Sequence, residues 1–289
     1  MKFSKPNHTL EKAATLWLSA ASISFCAGTT AAAETDWIAK SNVNTQILLD
    51  AMGELSPEDF GSIGVEGVDE NITDRIEGWQ KRAESLLTGV LEEFEGTLAS
   101  ETDRRVKEDL NILIDSTNER LLSAELNSAY LIPYMNVGEF IFNEINSLLR
   151  PTAPSLRYPA AVVRMQRYAG LEEGYEPLAE LVKMESMAAL DTDGLMGPFR
   201  GQVERDIEIS ETFITGIEDL FVTAELDGWQ AAYSILSQQL RNYTLWVEAE
   251  ILPRARNSSQ LPPDLYALQL SSWGIKADPN ALIERGLQE

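Results

Sequence analysis

Apolar residues return every three or four positions along nearly the whole chain, and that spacing admits one kind of element, the amphipathic α-helix. The series Ile72, Ile76, Trp79, Ala83, Leu86, Leu87, Val90, Leu91, Phe94 is one example. Val106, Leu110, Leu113, Ile114, Leu121, Leu122, Leu126 form a second, and Val203, Ile207, Phe213, Ile214, Ile217, Leu220, Phe221 a third. No comparable stretch alternates apolar and polar residues in the manner of a strand. The spacing predicts helices over 35–52, from Ile72 onward, and over 137–149, 159–169, 178–190, 229–251 and 265–273. Residues 56–70, rich in glycine and acid, are expected as a loop. Short connections between long helices make sequence neighbours pack antiparallel, so the expected fold is all-α, an antiparallel bundle or array of long amphipathic helices. No fixed-period repeat points to a solenoid.

The first residues are expected to be a leader rather than part of the fold. Lys2, Lys5 and Lys12 precede an apolar stretch over 13–28, and Ala31 and Ala33 are the small residues a signal peptidase needs. A signal peptide over 1–33, cleaved after Ala33, implies export to the periplasm or the medium. As a membrane span the stretch is short and broken by Ser19, Ser22 and Ser24. Phe25 before Cys26 makes a poor lipidation signal. The remaining chain divides into an N-terminal helix with its acidic glycine-rich loop over 34–70 and a helical domain over 71–289. Its last helix, capped by Asp278 and begun by Pro279, fits either a simple terminal helix or a chain cut from something longer.

Cleavage there removes His8 and Cys26, the single histidine and single cysteine of the sequence. The processed chain then has no imidazole or thiolate, which excludes Ser-His-Asp and Cys-His nucleophilic chemistry and zinc sites built on those ligands. With 46 acidic against 23 basic residues and a net charge of −23, the surface repels phosphate backbones and anionic headgroups. Neither nucleic acid nor a membrane surface is an expected partner.

The acidic groups Glu92-Glu93-Glu95, Glu172-Glu173 and Glu204-Asp206-Glu208-Glu211 could in principle hold a cation or form a catalytic carboxylate pair, but in so acidic a chain they read first as solvated helix faces. The DTDG at Asp191 lacks the ligands of a calcium loop, with Leu195 and Gln202 where oxygens are needed. A better ligand wall is AYLIPYMN, in which Pro133 breaks the helix and frees backbone polar groups beside Tyr130, Tyr134 and Asn136. Arg200 sits at a helix start, where the macrodipole disfavours a cation, and is a candidate to pair with a substrate carboxylate or an internal one. A helix–helix corner is the plainer alternative for AYLIPYMN, and an ordinary ion pair for Arg200.

The stretches YLIPYMN, RYPAAVVRMQRYAGLEEGYEPL, GPFRGQVERDIEIS, WVEAEILPRAR and LPPDLYALQLSSWGIKADPNALIERG resemble the bacterial domain-of-unknown-function 885 family. The resemblance covers about 48–289 and rests on long patterns of apolar, proline and glycine positions. It implies an exported, largely helical protein related to carboxypeptidase-like zinc metallopeptidases. In such proteins the zinc helix, with two histidines flanking a glutamate base, belongs to a C-terminal half that has no counterpart here. No catalytic or metal-binding residue can therefore be carried over, and zinc is expected only in that missing half. What the resemblance implies is a non-catalytic N-terminal half, inactive alone, which supplies part of a peptide cleft through Tyr130, Tyr134, Asn136 and Arg200. Its expected partner is the C-terminal half, or a second copy through an exposed apolar face. The alternatives are a stand-alone exported binding or scaffolding module and, further off, a carboxylate-only hydrolase.

Overall fold

The computed structural model describes residues 30–275 and 278–288. Most of the expected leader, with His8, Cys26 and the apolar stretch, lies outside the described residues. Within them the protein is all-α, with eleven α-helices. No helix among the described residues is long and apolar enough to cross a membrane.

Three helices build a first core. These are α1 (Thr30–Leu55), α3 (Trp79–Ser100) and α4 (Arg104–Tyr130), with the short α2 (Pro57–Ser62) following α1. Only residues 101–103 separate α3 from α4, and both ends of that link are capped by side chains. The Glu101 carboxylate accepts from the backbone N–H of Thr102 and Asp103, and Asp103 accepts from that of Arg105. These bonds satisfy amides that a helix start leaves without partners, so the chain reverses tightly and α4 packs back along α3. Phe94, Val106 and Leu110 are fully buried between them, joined by Leu87, Val90, Leu48 and Met52.

The second core is larger. Its centre is α5 (Val137–Leu149), which packs against α6 (Tyr158–Tyr168), α7 (Leu178–Leu190) and α8 (Arg200–Thr223). The α5 helix is short and strongly one-sided, burying Ile141, Ile145 and Leu148 completely. Its start is local chemistry: Asn136 accepts from the Glu139 amide as N-cap. The next helix, α9 (Gln230–Trp246), lies across α6, α7 and α8 and continues through a π-turn (Val247–Ile251) and a 3-10 turn (Leu252–Arg254). The wider π-turn, ending beside Pro253, brings the predicted single helix over 229–251 to a stop. Beyond it, α10 (Pro263–Ser272) returns to pack on α4, and α11 (Pro279–Gln288) follows.

Residues 56–70 differ from the simple loop the composition predicts. Pro57 starts the single-turn α2, and Glu58 within it is only 2% exposed. The Glu58 carboxylate accepts from the Thr73 amide, the Thr73 hydroxyl and the Tyr168 hydroxyl. Three arginines of the second core hold the rest. Arg157 pairs with Asp69 and donates to the Gly61 carbonyl. Arg164, fully buried, donates to the carbonyls of Asn71, Val68 and Glu144. Arg167 donates to the Glu70 carbonyl and the Asn71 side chain. The expected helix from Ile72 begins later, at Trp79, because residues 68–73 are committed to these arginines. An acidic loop thereby becomes the joint between the two cores.

Candidate functional site

The break at Pro133 runs as an extended segment over 131–136 between α4 and α5. It lies beside two other extended pieces from distant parts of the chain. Met196 donates to the Tyr130 carbonyl and its own carbonyl accepts from the Ile132 amide, at 2.8 and 2.9 Å. Residues 198–200 exchange bonds in the same way with Arg256, whose amide donates to Pro198 and whose carbonyl accepts from the Arg200 amide. The result is a three-piece ribbon with residues 196–199 in the middle, each contact parallel. Its closeness depends on Gly197, where a Cβ would collide with the Arg254 carbonyl.

Side chains of the bundle tie the segment down. The Ser186 hydroxyl, buried on α7, donates to the Pro133 carbonyl at 2.7 Å, and the Tyr243 hydroxyl of α9 donates to that of Met135 at 2.8 Å. Tyr134 donates to Asp206 of α8 at 3.0 Å. Asp206 is 6% exposed, and burial raises its carboxyl above the ordinary range. The Tyr134 hydroxyl, the Arg205 charge and the Asn136 amide oppose that rise. Burial, with the Asp206 charge beside it, pushes the Tyr134 phenol far above its usual value, so it serves as a fixed donor. Tyr134, Asn136, Asp206, Ser210, Tyr243 and Thr244 border a cavity of about 20 Å³, enough for one water molecule.

The structure thus places the four sequence candidates in three settings. Tyr134 and Asn136 come together on the inner side of the segment, around that cavity. Tyr130 turns the other way and donates to Asp264 of α10, and this bond raises its phenol. Arg200 donates to Asn257 and to the Leu252 carbonyl and pairs with Glu204, an internal use of the guanidinium. Asp206 is the residue the sequence reading passed over, grouped with solvated acids. The signal was available, since Asp206 shares the helical phase of Val203, Ile207, Ile214 and Ile217. The other acids of α8 stay on the outside, where Glu211 pairs with Arg241. Among the described residues no three acidic or metal-binding side chains converge on one point.

No family model matches the chain, and neither a curated protein nor a solved structure is similar to it.

Proposed function

We propose that this chain is the non-catalytic, N-terminal helical half of an exported metallopeptidase-like hydrolase, inactive alone and supplying one wall of a peptide cleft. The observation that supports the reading is the ribbon. Residues 131–136 and 254–256 and, apart from Met196, the middle piece 196–199 come from three of the stretches that carry the resemblance, YLIPYMN, WVEAEILPRAR and GPFRGQVERDIEIS, and they meet side by side. A rigid patch of extended backbone on a helical scaffold suits the positioning of an extended substrate. Zinc and the general base would come from the C-terminal half.

A second reading, a stand-alone binding or scaffolding module, is favoured by the way each polar group of the ribbon is used. Tyr134 is spent on Asp206, Tyr243 on the Met135 carbonyl and Arg200 on the Leu252 carbonyl, so none is left poised to move a proton.

The test is peptide hydrolysis and peptide binding by the purified, processed chain, with and without zinc. No hydrolysis in either condition is expected, together with saturable peptide binding that weakens in Gly197→Ala, whose methyl would part the ribbon at the Arg254 carbonyl. Zinc-dependent cleavage by the chain alone would overturn both readings. Dye binding or dimerisation through exposed side chains such as Met184, Met187 and Val222 supports the half-protein over the stand-alone module; a dye-silent monomer supports the module.

A further inference from the structure

Residues 63–73 cross the second core as a strap on the way from α2 to α3, and the strap is fastened mainly by polar groups. Of its apolar side chains Ile72 packs on that core. The rest is hydrogen bonding to α6 and the turn before it: Arg157 to Asp69, Arg164 to the Val68 and Asn71 carbonyls, Arg167 to Glu70 and Asn71. Glu58 completes the fastening by accepting from Thr73 on one side and from Tyr168 of α6 on the other.

The charges at the centre of this fastening do not balance. One fully buried guanidinium, Arg164, serves two carboxylates, Glu58 of α2 and Glu144 of α5, whose side chain is 14% exposed; all three act on the buried Tyr168 phenol. Glu58 has three donors of its own. Glu144 has a single ion pair among the described residues, with Arg164 Nη1 at 3.9 Å, too long for a hydrogen bond, and that guanidinium already donates to three carbonyls. Asp59 of α2 adds a like charge, and Arg157 is paired with Asp69. On the other neighbours of α5, Glu185 and Lys183 of α7 pair with Arg75 and Glu180, and Asp206 and Glu211 of α8 engage Tyr134 and Arg241. An ionised Glu144 thus leaves one uncompensated negative charge in a site nearly closed to water, and a protonated Glu144 leaves the site neutral. Burial and the Glu58 charge accordingly raise its carboxyl to about 7.

We propose that a proton on Glu144 locks the strap: with Glu144 neutral, residues 63–73 lie fastened to α6, and its ionisation releases them while both cores stay folded. The two sides of the site do not yield equally. Ile141, Ile145 and Leu148 of α5 and Ala161 and Met165 of α6 are fully buried, whereas most of the strap is exposed. The new charge repels Glu58 and draws the Arg164 fork away from its 3.4 Å contact with Val68, so the bonds lost are those of the strap. Beyond residue 73, the Arg75–Glu185 pair keeps its charges and holds the approach to α3 in place.

The experiment is native-state amide exchange of the purified chain at pH 6 and pH 8, corrected for the intrinsic pH dependence of exchange and repeated at low urea concentrations. The Thr73 and Asn71 amides, bonded to Glu58 and to the Val68 carbonyl, report the strap; those of Ile145 and Leu110, both fully buried, report the two cores. A carboxyl that titrates at about 7 when fastened and near 4.5 when free makes opening about tenfold more favourable at pH 8 than at pH 6. Thr73 and Asn71 should therefore lose about tenfold in protection over that range, with no dependence on urea, because freeing a short exposed segment uncovers little surface. Ile145 and Leu110 should stay far better protected and lose protection as urea rises. Glu144→Gln, which cannot ionise, should keep the strap equally protected at both pH values. Strap amides that share the urea dependence of the core amides would show that the strap opens only with the whole protein and would overturn the proposal. So would protection that does not change with pH, or a loss that persists in folded Glu144→Gln. Where that variant does not fold, the pH and urea dependence of the unaltered chain decides the matter.

Discussion

Replacing Arg164 by methionine should destabilise the protein more than removing any surface charge. The side chain is fully buried and serves three carbonyls at once, Asn71 at 3.1 Å and Val68 and Glu144 at 3.4 Å, with the Glu144 carboxylate 3.9 Å away. Methionine fills much of the volume but donates nothing. The Asn71 carbonyl loses its arginine donor, the Val68 carbonyl keeps only the Asn71 amide, and Glu144 loses the cation that opposes its desolvation. Removing one partner of a buried charge pair costs about 3–5 kcal/mol. At roughly 2–4 °C per kcal/mol for a chain of this size, the melting temperature should fall by about 6–20 °C. Arg241→Met is the control, since the Arg241–Glu211 pair is 42% and 58% exposed and should matter by less than about 1 kcal/mol. The assay is thermal unfolding followed by circular dichroism, with amide exchange read across residues 58–78. Arg164→Met should also speed exchange of the Thr73 amide, which donates to Glu58 in the same joint. If Arg164→Met melts no lower than Arg241→Met and residues 58–78 stay equally protected, the joint between the cores does not depend on this guanidinium and the reasoning fails.

A second prediction concerns pH. Burial, with the Glu58 charge nearby, raises the Glu144 carboxyl to about 7, whereas an unfolded chain titrates near 4.5. The folded state therefore binds the extra proton between those values, and stability falls as pH rises from about 4.5 to 7. Glu144→Gln should flatten that part of the melting-temperature profile; a profile of unchanged slope counts against the assignment. A third contrasts two glycines. Gly197→Ala drives a methyl into the Arg254 carbonyl and should part the ribbon, lowering the melting temperature and exposing the Met196 and Arg256 amides to exchange. Gly89→Ala meets no atom within 4 Å in the exposed face of α3 and should stabilise by about 0.5–1 kcal/mol, and a destabilised Gly89→Ala would show that α3 is packed on that face.

The candidate site was half legible. Tyr134 and Asn136 stood out because proline interrupts an otherwise continuous helical pattern, and the structure does bring these two together. Their partner Asp206 was hidden among glutamates, and Tyr130 and Arg200 turned out to serve bonds to Asp264, Asn257 and Leu252 that no local pattern encodes.

Helical content was determined by the sequence alone, and so were several boundaries. Val137–Leu149 and Leu178–Leu190 were readable to the residue, because periodicity, Asn136 as a cap and Pro177 before the helix are all local. Tertiary structure decided which charges go inside. Glu58 and Arg164 have the composition of surface residues, and what makes their burial tolerable is hydrogen bonding across separations of 110 and 93 residues, to Tyr168 and Asn71. Local pattern dictates which backbone conformation is cheap; which polar groups can leave water depends on partners that only the folded chain brings within reach.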